Sequence, residues 1–105
     1  MRANYIELLK VAASERAVVK LTHAYLSEWT PGELAAIPAN CRPGRVEDGE
    51  AVADTAYALT RARIDSKAPN ALLEEMEGFF AQACLRISEL EALPRRLPPR
   101  TYLTR

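Results

Sequence analysis

Cys41, with Arg42 beside it and Arg45 four positions on, is the first place in this chain where residue types suggest chemistry. Positive charge next to a thiol lowers its pKa and favours the nucleophilic thiolate. A working nucleophile also needs a base, and the sole histidine, His23, lies far away in the first helical segment. The run Cys41 to Arg45 lacks the string of small residues whose backbone N–H groups would converge on a phosphate. The expectation is therefore a cysteine packed under a loop as a small hydrophobe. A thiol-dependent enzyme or redox sensor built on Cys41 is kept as an alternative, and no other residue is assigned a catalytic role.

Carboxylates cluster twice, at Glu47, Asp48, Glu50 and Asp54 and at Glu74, Glu75 and Glu77. Acid pairs can hold metal or exchange protons. In helical bundles such ligands project from core positions, with a histidine three residues away. These acids instead fall at helix starts or on polar faces, where they complement the helix dipole. No metal set is assigned, since neither cysteine has a second ligand at a usable spacing, and no cofactor is expected.

The third candidate is the C-terminal arm, where Arg95, Arg96, Arg100 and Arg105 stand with Tyr102 and no acid. Arginines of this kind neutralise phosphates, and a tyrosine can stack on a base. The run 96–100, Arg-Leu-Pro-Pro-Arg, also has a partial likeness to a polyproline ligand, without the Pro-x-x-Pro pair. No segment reads as a recognition helix, and the loop of roughly nine residues between the short helix over 31–37 and the helix that begins near Glu47 is too long for a helix-turn-helix. A nucleic-acid-associated protein using this arm is the second alternative.

The elements that must carry these residues are helical. The clearest is a helix over 69–93, in which Leu73, Met76, Phe80, Ala83, Ile87 and Leu90 recur with spacings of three and four, the seam of a bundle. Leu72 and Phe79 widen that stripe, Glu74, Glu75, Glu77, Glu89 and Glu91 occupy the other side, Pro69 opens the helix and Pro94 is expected to end it. A helix from Glu47 or Asp48 to Ile64 presents Val52, Ala56 and Leu59 on one face, with Ala53, Tyr57 and Ile64 beside it. One long helix is expected from Asn4 to about Glu28, with the stripe Leu8, Val11, Val18, Leu21 and Tyr25. Glu15 interrupts that stripe, which marks Ser14 to Arg16 as the place where a bend or break would fall.

Between these segments, Thr30-Pro31-Gly32-Glu33 is a capping box with proline at the first helical position, and Trp29 and Leu34 stand at the two positions of a hydrophobic staple. The helix it starts is placed at 31–37, because Pro38 disfavours helical geometry at Ile37. Residues 38–46 read as a loop in which Pro43-Gly44 forms a type II turn.

The chain has 105 residues, fourteen basic and fourteen acidic, and 49% of its residues are hydrophobic. That is ordinary globular composition in the range of one domain. The balanced charge gives no global attraction to nucleic acid or to an anionic membrane. No apolar run approaches the roughly 20 residues of a membrane span, and the N-terminus does not read as a signal peptide. The expectation is a cytoplasmic all-α protein: a helical bundle of three long helices and one short connecting helix over 1–93, followed by a basic proline- and arginine-rich tail over 94–105. Its expected function is a non-enzymatic protein–protein interaction or regulatory module. The partner surface is placed at Leu72, Phe79 and Phe80, with Arg95, Arg96, Arg100 and Tyr102 of the tail. If those apolar residues exceed what the bundle covers, the partner is a second copy of the chain.

Overall fold

The structure, a computed structural model, describes the backbone of residues 4–96 and the side chains of residues 4–92. Among the described residues it is all α-helical: α1 (Tyr5–Lys10), α2 (Glu15–Ser27), α3 (Pro31–Leu34), α4 (Gly49–Asp65) and α5 (Ala71–Arg96), with a single 3₁₀ turn at Ala39–Cys41. Helix α5 is the spine. Its 26 residues extend about 39 Å at 1.5 Å per residue, and α1, α2 and α4 all pack against it, α4 most extensively.

The bundle seam is where its periodicity places it. Leu73, Met76, Phe80, Ala83 and Ile87 are buried, and Leu90 packs half-buried at the end of the row. Opposite them α4 buries Val52, Ala56 and Leu59. Its first turn is capped by Asp48, whose carboxylate accepts from Ala51 N at 2.9 Å. Glu77, expected on the solvent side of α5, instead accepts hydrogen bonds from Thr60 Oγ1 at 3.0 Å and Arg63 Nε at 3.1 Å, tying the two long helices together. Helix α5 opens at Ala71, two residues past Pro69, because Asn70 is the cap. Its Oδ1 accepts from Leu73 N at 3.0 Å, while its Nδ2 donates to Ala36 O at 2.8 Å. The helix does not end at Pro94 but continues to Arg96. Proline's fixed φ is itself helical, so near a helix end it removes little beyond one hydrogen bond.

The expected long first helix is two helices. Helix α1 stops at Lys10 and α2 begins at Glu15, capped by Ser14, whose hydroxyl accepts from Ala17 N at 3.1 Å. The break resets the helical phase. Upstream of it Tyr5, Leu9 and Ala12 face the core, while Leu8 and Val11 of the expected stripe are 44% and 74% exposed. Two long-range contacts hold the break open. Arg86 of α5 donates from Nε (2.9 Å) and Nη2 (2.8 Å) to Ala12 O, a carbonyl with no helical partner once α1 has ended. Glu15 accepts from Gly49 N at 2.6 Å and so serves the N-terminus of α4. A Cβ on Gly49 would lie 3.0 Å from that Glu15 oxygen and 3.2 Å from Ile87. The missing side chain is what lets the carboxylate and α5 come this close.

The capping box at Thr30 is complete, with Glu33 N donating to Thr30 Oγ1 at 3.1 Å and Thr30 N to Glu33 Oε1 at 3.0 Å. Helix α3 is shorter than the expected 31–37. It ends at Leu34, and the chain reaches Ile37 through tighter three-residue bonds such as Ile37 N to Leu34 O at 3.0 Å. The stretch after it is less loop-like than its composition suggests, because Ile37, Cys41 and Val46 are all buried in the core. Gly44 does not take the positive φ of a type II turn; no described glycine does. Arg42 holds the preceding turn instead, donating from Nε to Ile37 O at 2.8 Å.

An acid-rimmed cleft over stacked aromatic rings

Three helices bring aromatic rings to one place. Tyr5 comes from α1, Tyr25 from α2 and Phe79 from α5. Tyr25 stacks on Phe79 with ring centres 3.9 Å apart and planes 8° from parallel. Tyr5 meets both rings edge-on, at 5.5 Å and 6.2 Å, and Trp29 stands against Tyr25 at 6.1 Å. Such offset and edge-to-face pairs add about 0.5–1.5 kcal/mol each beyond the area they bury.

The polar ends of these rings point to carboxylates. Tyr5 Oη donates to Glu28 Oε2 at 2.6 Å, and Tyr25 Oη donates to Glu75 Oε2 at 3.0 Å. The bond to Glu28, with burial and the negative charge of Glu28 added, raises the Tyr5 phenol above its ordinary pKa. Each tyrosine thus joins an apolar floor to an acidic rim.

Above the rings lies an open cleft of about 1120 Å³. Its rim carries Glu28, Glu33, Glu74 and Glu75, with Asn4, Thr30 and Gln82 as neutral polar neighbours. No lysine, arginine or histidine is among the described residues lining it. Carboxylates around an aromatic surface attract cations, and an apolar floor suits the methylene stem of a lysine or arginine side chain. Of the residues lining the cleft, Phe79 alone is among the expected partner surface. Glu74 and Glu75 read simply as solvent-side acids, and nothing in the sequence joins them to Tyr25, 50 positions away from Glu75.

The expected site residues are dispersed. Phe79 and Phe80 are 2% and 0% exposed and Leu72 is half-buried, so the apolar excess anticipated there is covered by α1, α2 and α4. The side chains of Arg95 and Arg96, and all of Arg100 and Tyr102, lie outside the described residues, as does most of the 94–105 tail. His23 is exposed and its Nε2 hydrogen-bonds Val46 O.

Cys41 is buried, and its Sγ contacts Pro38 O at 3.3 Å. Burial pushes its thiol above the ordinary pKa, and the Arg42 charge opposes this only in part. A raised pKa is the opposite of what activates a cysteine. Cys84 is the more accessible thiol, lining a shallow groove between α4 and α5. A soluble maleimide at neutral pH is expected to label Cys84 several-fold faster than Cys41. Mass spectrometry of a labelling time course checks this, and a faster Cys41 would restore the thiol-chemistry alternative.

Among the described residues no group of three or more histidine, cysteine, aspartate or glutamate side chains is placed to hold a metal ion. None of the described helices is long and apolar enough to cross a membrane. Comparison of the chain with protein-family models, with curated protein sequences and with solved structures finds no match in any of the three. The cleft's own chemistry is therefore what bears on function.

Proposed function

We propose that this chain is a non-enzymatic protein-interaction module of the cytoplasm, and that its cleft receives a basic segment of a partner protein. The observation that carries the proposal is the meeting of Glu28 and Glu74 at the rim with an aromatic floor, in an open cleft with no lysine, arginine or histidine among its described lining residues. Glu28 and Glu74 are exposed, so a lysine or arginine head can reach them while keeping part of its hydration, and attraction of this kind mainly sets encounter rate and specificity. The cytoplasmic setting is supported by Cys41 and Cys84, both free thiols of the kind that a reducing compartment preserves. The nucleic-acid alternative rests on the arginine tail alone. An acidic cleft would repel a phosphate backbone.

Trp29 is the only tryptophan and touches Tyr25 in the cleft floor, so its fluorescence reports on occupancy. Titration with a lysine-rich peptide is expected to shift that emission, with an affinity that weakens as salt rises beyond about 0.1 M, where the screening length is about 10 Å. A glutamate-rich peptide of equal length should leave it unchanged. Reversing two rim charges in Glu28→Lys/Glu74→Lys is expected to weaken binding at least about tenfold. Equal binding of both peptides, or a variant that binds as well as the parent, defeats the proposal.

A further inference from the structure

We infer that the outward face of α4 is the contact surface for a second copy of this chain, packed antiparallel across a two-fold axis beside Tyr57 and Ala58. The face lies opposite the buried row Val52, Ala56 and Leu59. It reads Asp54, Tyr57, Arg61 and Ile64, spaced three, four and three as a helix–helix seam requires. Tyr57 is 66% exposed and Ile64 62%, the least covered large apolar side chains of the two long helices among the described residues. Beside them a shallow, mostly apolar groove of about 450 Å³ runs between α4 and α5, walled by Ala53 and Leu85. Small residues at such a groove let a second helix approach closely.

Charge placement selects the occupant. Among the described residues the side chains of Asp54 and Arg61 make no ion pair or hydrogen bond, whereas Arg63, two positions past Arg61, is engaged by Glu77. In an antiparallel pair, positions equidistant from the axis face each other. An axis level with Tyr57 puts Asp54 against the partner's Arg61, and Arg61 against the partner's Asp54. Both pairs fall about 5 Å from the axis along the helix, and interaxial distances of about 8–10 Å are within reach of an arginine. The like-charged Glu50 and Asp65 fall near each other only at the helix ends, where a crossing angle of about 50° carries them apart. Reciprocal pairing is what an isologous interface demands, since every contact must occur twice.

Sedimentation equilibrium of the full chain at micromolar concentration tests this. The parent is expected to be a dimer. Arg61→Asp and Asp54→Arg should each weaken the association at least about tenfold, because each leaves two like-charged pairs in the contact. The combined Asp54→Arg/Arg61→Asp chain restores both pairs and should return to within about threefold of the parent. Circular dichroism confirms that each variant keeps its helices, as surface changes on an exposed face should. A parent that stays monomeric, a dimer indifferent to either reversal, or a double variant no tighter than the singles would each overturn the inference. None of those outcomes bears on peptide binding in the cleft, which lies between α1, α2 and α5.

Discussion

Phe80→Ala is expected to cost about 3–5 kcal/mol of folding stability, the largest loss of any single truncation in this chain. Phe80 is fully buried at the middle of the α5 seam, edge-on to Phe79 at 5.5 Å, in the core that α1, α2 and α4 share with α5. Truncation removes the ring's transfer energy and leaves a cavity that three separate helices would have to move to fill. Against a total stability of about 5–15 kcal/mol for a domain of this kind, that loss brings the protein close to unfolding at ambient temperature. Urea denaturation followed by circular dichroism measures it. Leu85→Ala, one and a half turns further along the same helix, is the control. Leu85 is 52% exposed, and its truncation should stay within about 0.5 kcal/mol. Equal losses at the two positions would mean that α5 presents a different face to the core.

Arg86→Met is expected to cost about 2–3 kcal/mol even though an arginine is being replaced by an apolar residue of similar length. Two of its guanidinium nitrogens meet Ala12 O at 2.9 Å and 2.8 Å, and Ala12 is 6% exposed. Without them the carbonyl is buried with its main donor lost, and that desolvation is the greater part of the cost. The accompanying contact from Nη1 to Glu89 at 3.2 Å is more exposed and contributes little, so Glu89→Gln should change stability by less than about 0.5 kcal/mol. Arg86→Lys should recover only part of the loss, because an ammonium cannot present two donors in the plane of the guanidinium fork. Denaturant unfolding gives the magnitudes. Hydrogen exchange of the amides from Val11 to Ala17 localises the effect, which should appear as faster opening between α1 and α2. An Arg86→Met chain as stable as the parent would show that the break between those helices needs no anchor.

The two substitutions separate what one helix states about itself from what distant residues arrange. Residues 73–90 carry a seam strong enough to place Phe80 in the core from spacing alone, because apolar side chains every three or four residues can be buried together only on one side of a helix. The capping box at Thr30 is equally local: both of its bonds join residues three apart. The row Val52, Ala56 and Leu59 follows the same logic on α4.

Ser14 is ambiguous by the same local criteria. A serine can cap a new helix or sit on the exposed side of a continuing one, and the glutamate after it is compatible with both. The choice falls to Arg86, 74 positions from Ala12, which satisfies the open carbonyl there, and to Gly49, 34 positions from Glu15, whose N–H donates to the Glu15 carboxylate. Once the break is made, the helical phase upstream shifts and Leu8 and Val11 turn outward while Tyr5 and Leu9 turn in. The cleft is a consequence of that shift, since it is Tyr5 that completes the aromatic floor with Tyr25 and Phe79.

What the order of residues determined by itself was therefore the all-α class, the buried seam of α5, the inner face of α4 and the start of α3, because each depends on neighbours within a turn or two. Only the tertiary structure decided where the first helix breaks, how completely Phe79 and Phe80 are covered and which acids rim the cleft. Those outcomes depend on hydrogen bonds and ring contacts between residues far apart in the chain, and a periodic pattern carries no information about which distant partner will close them.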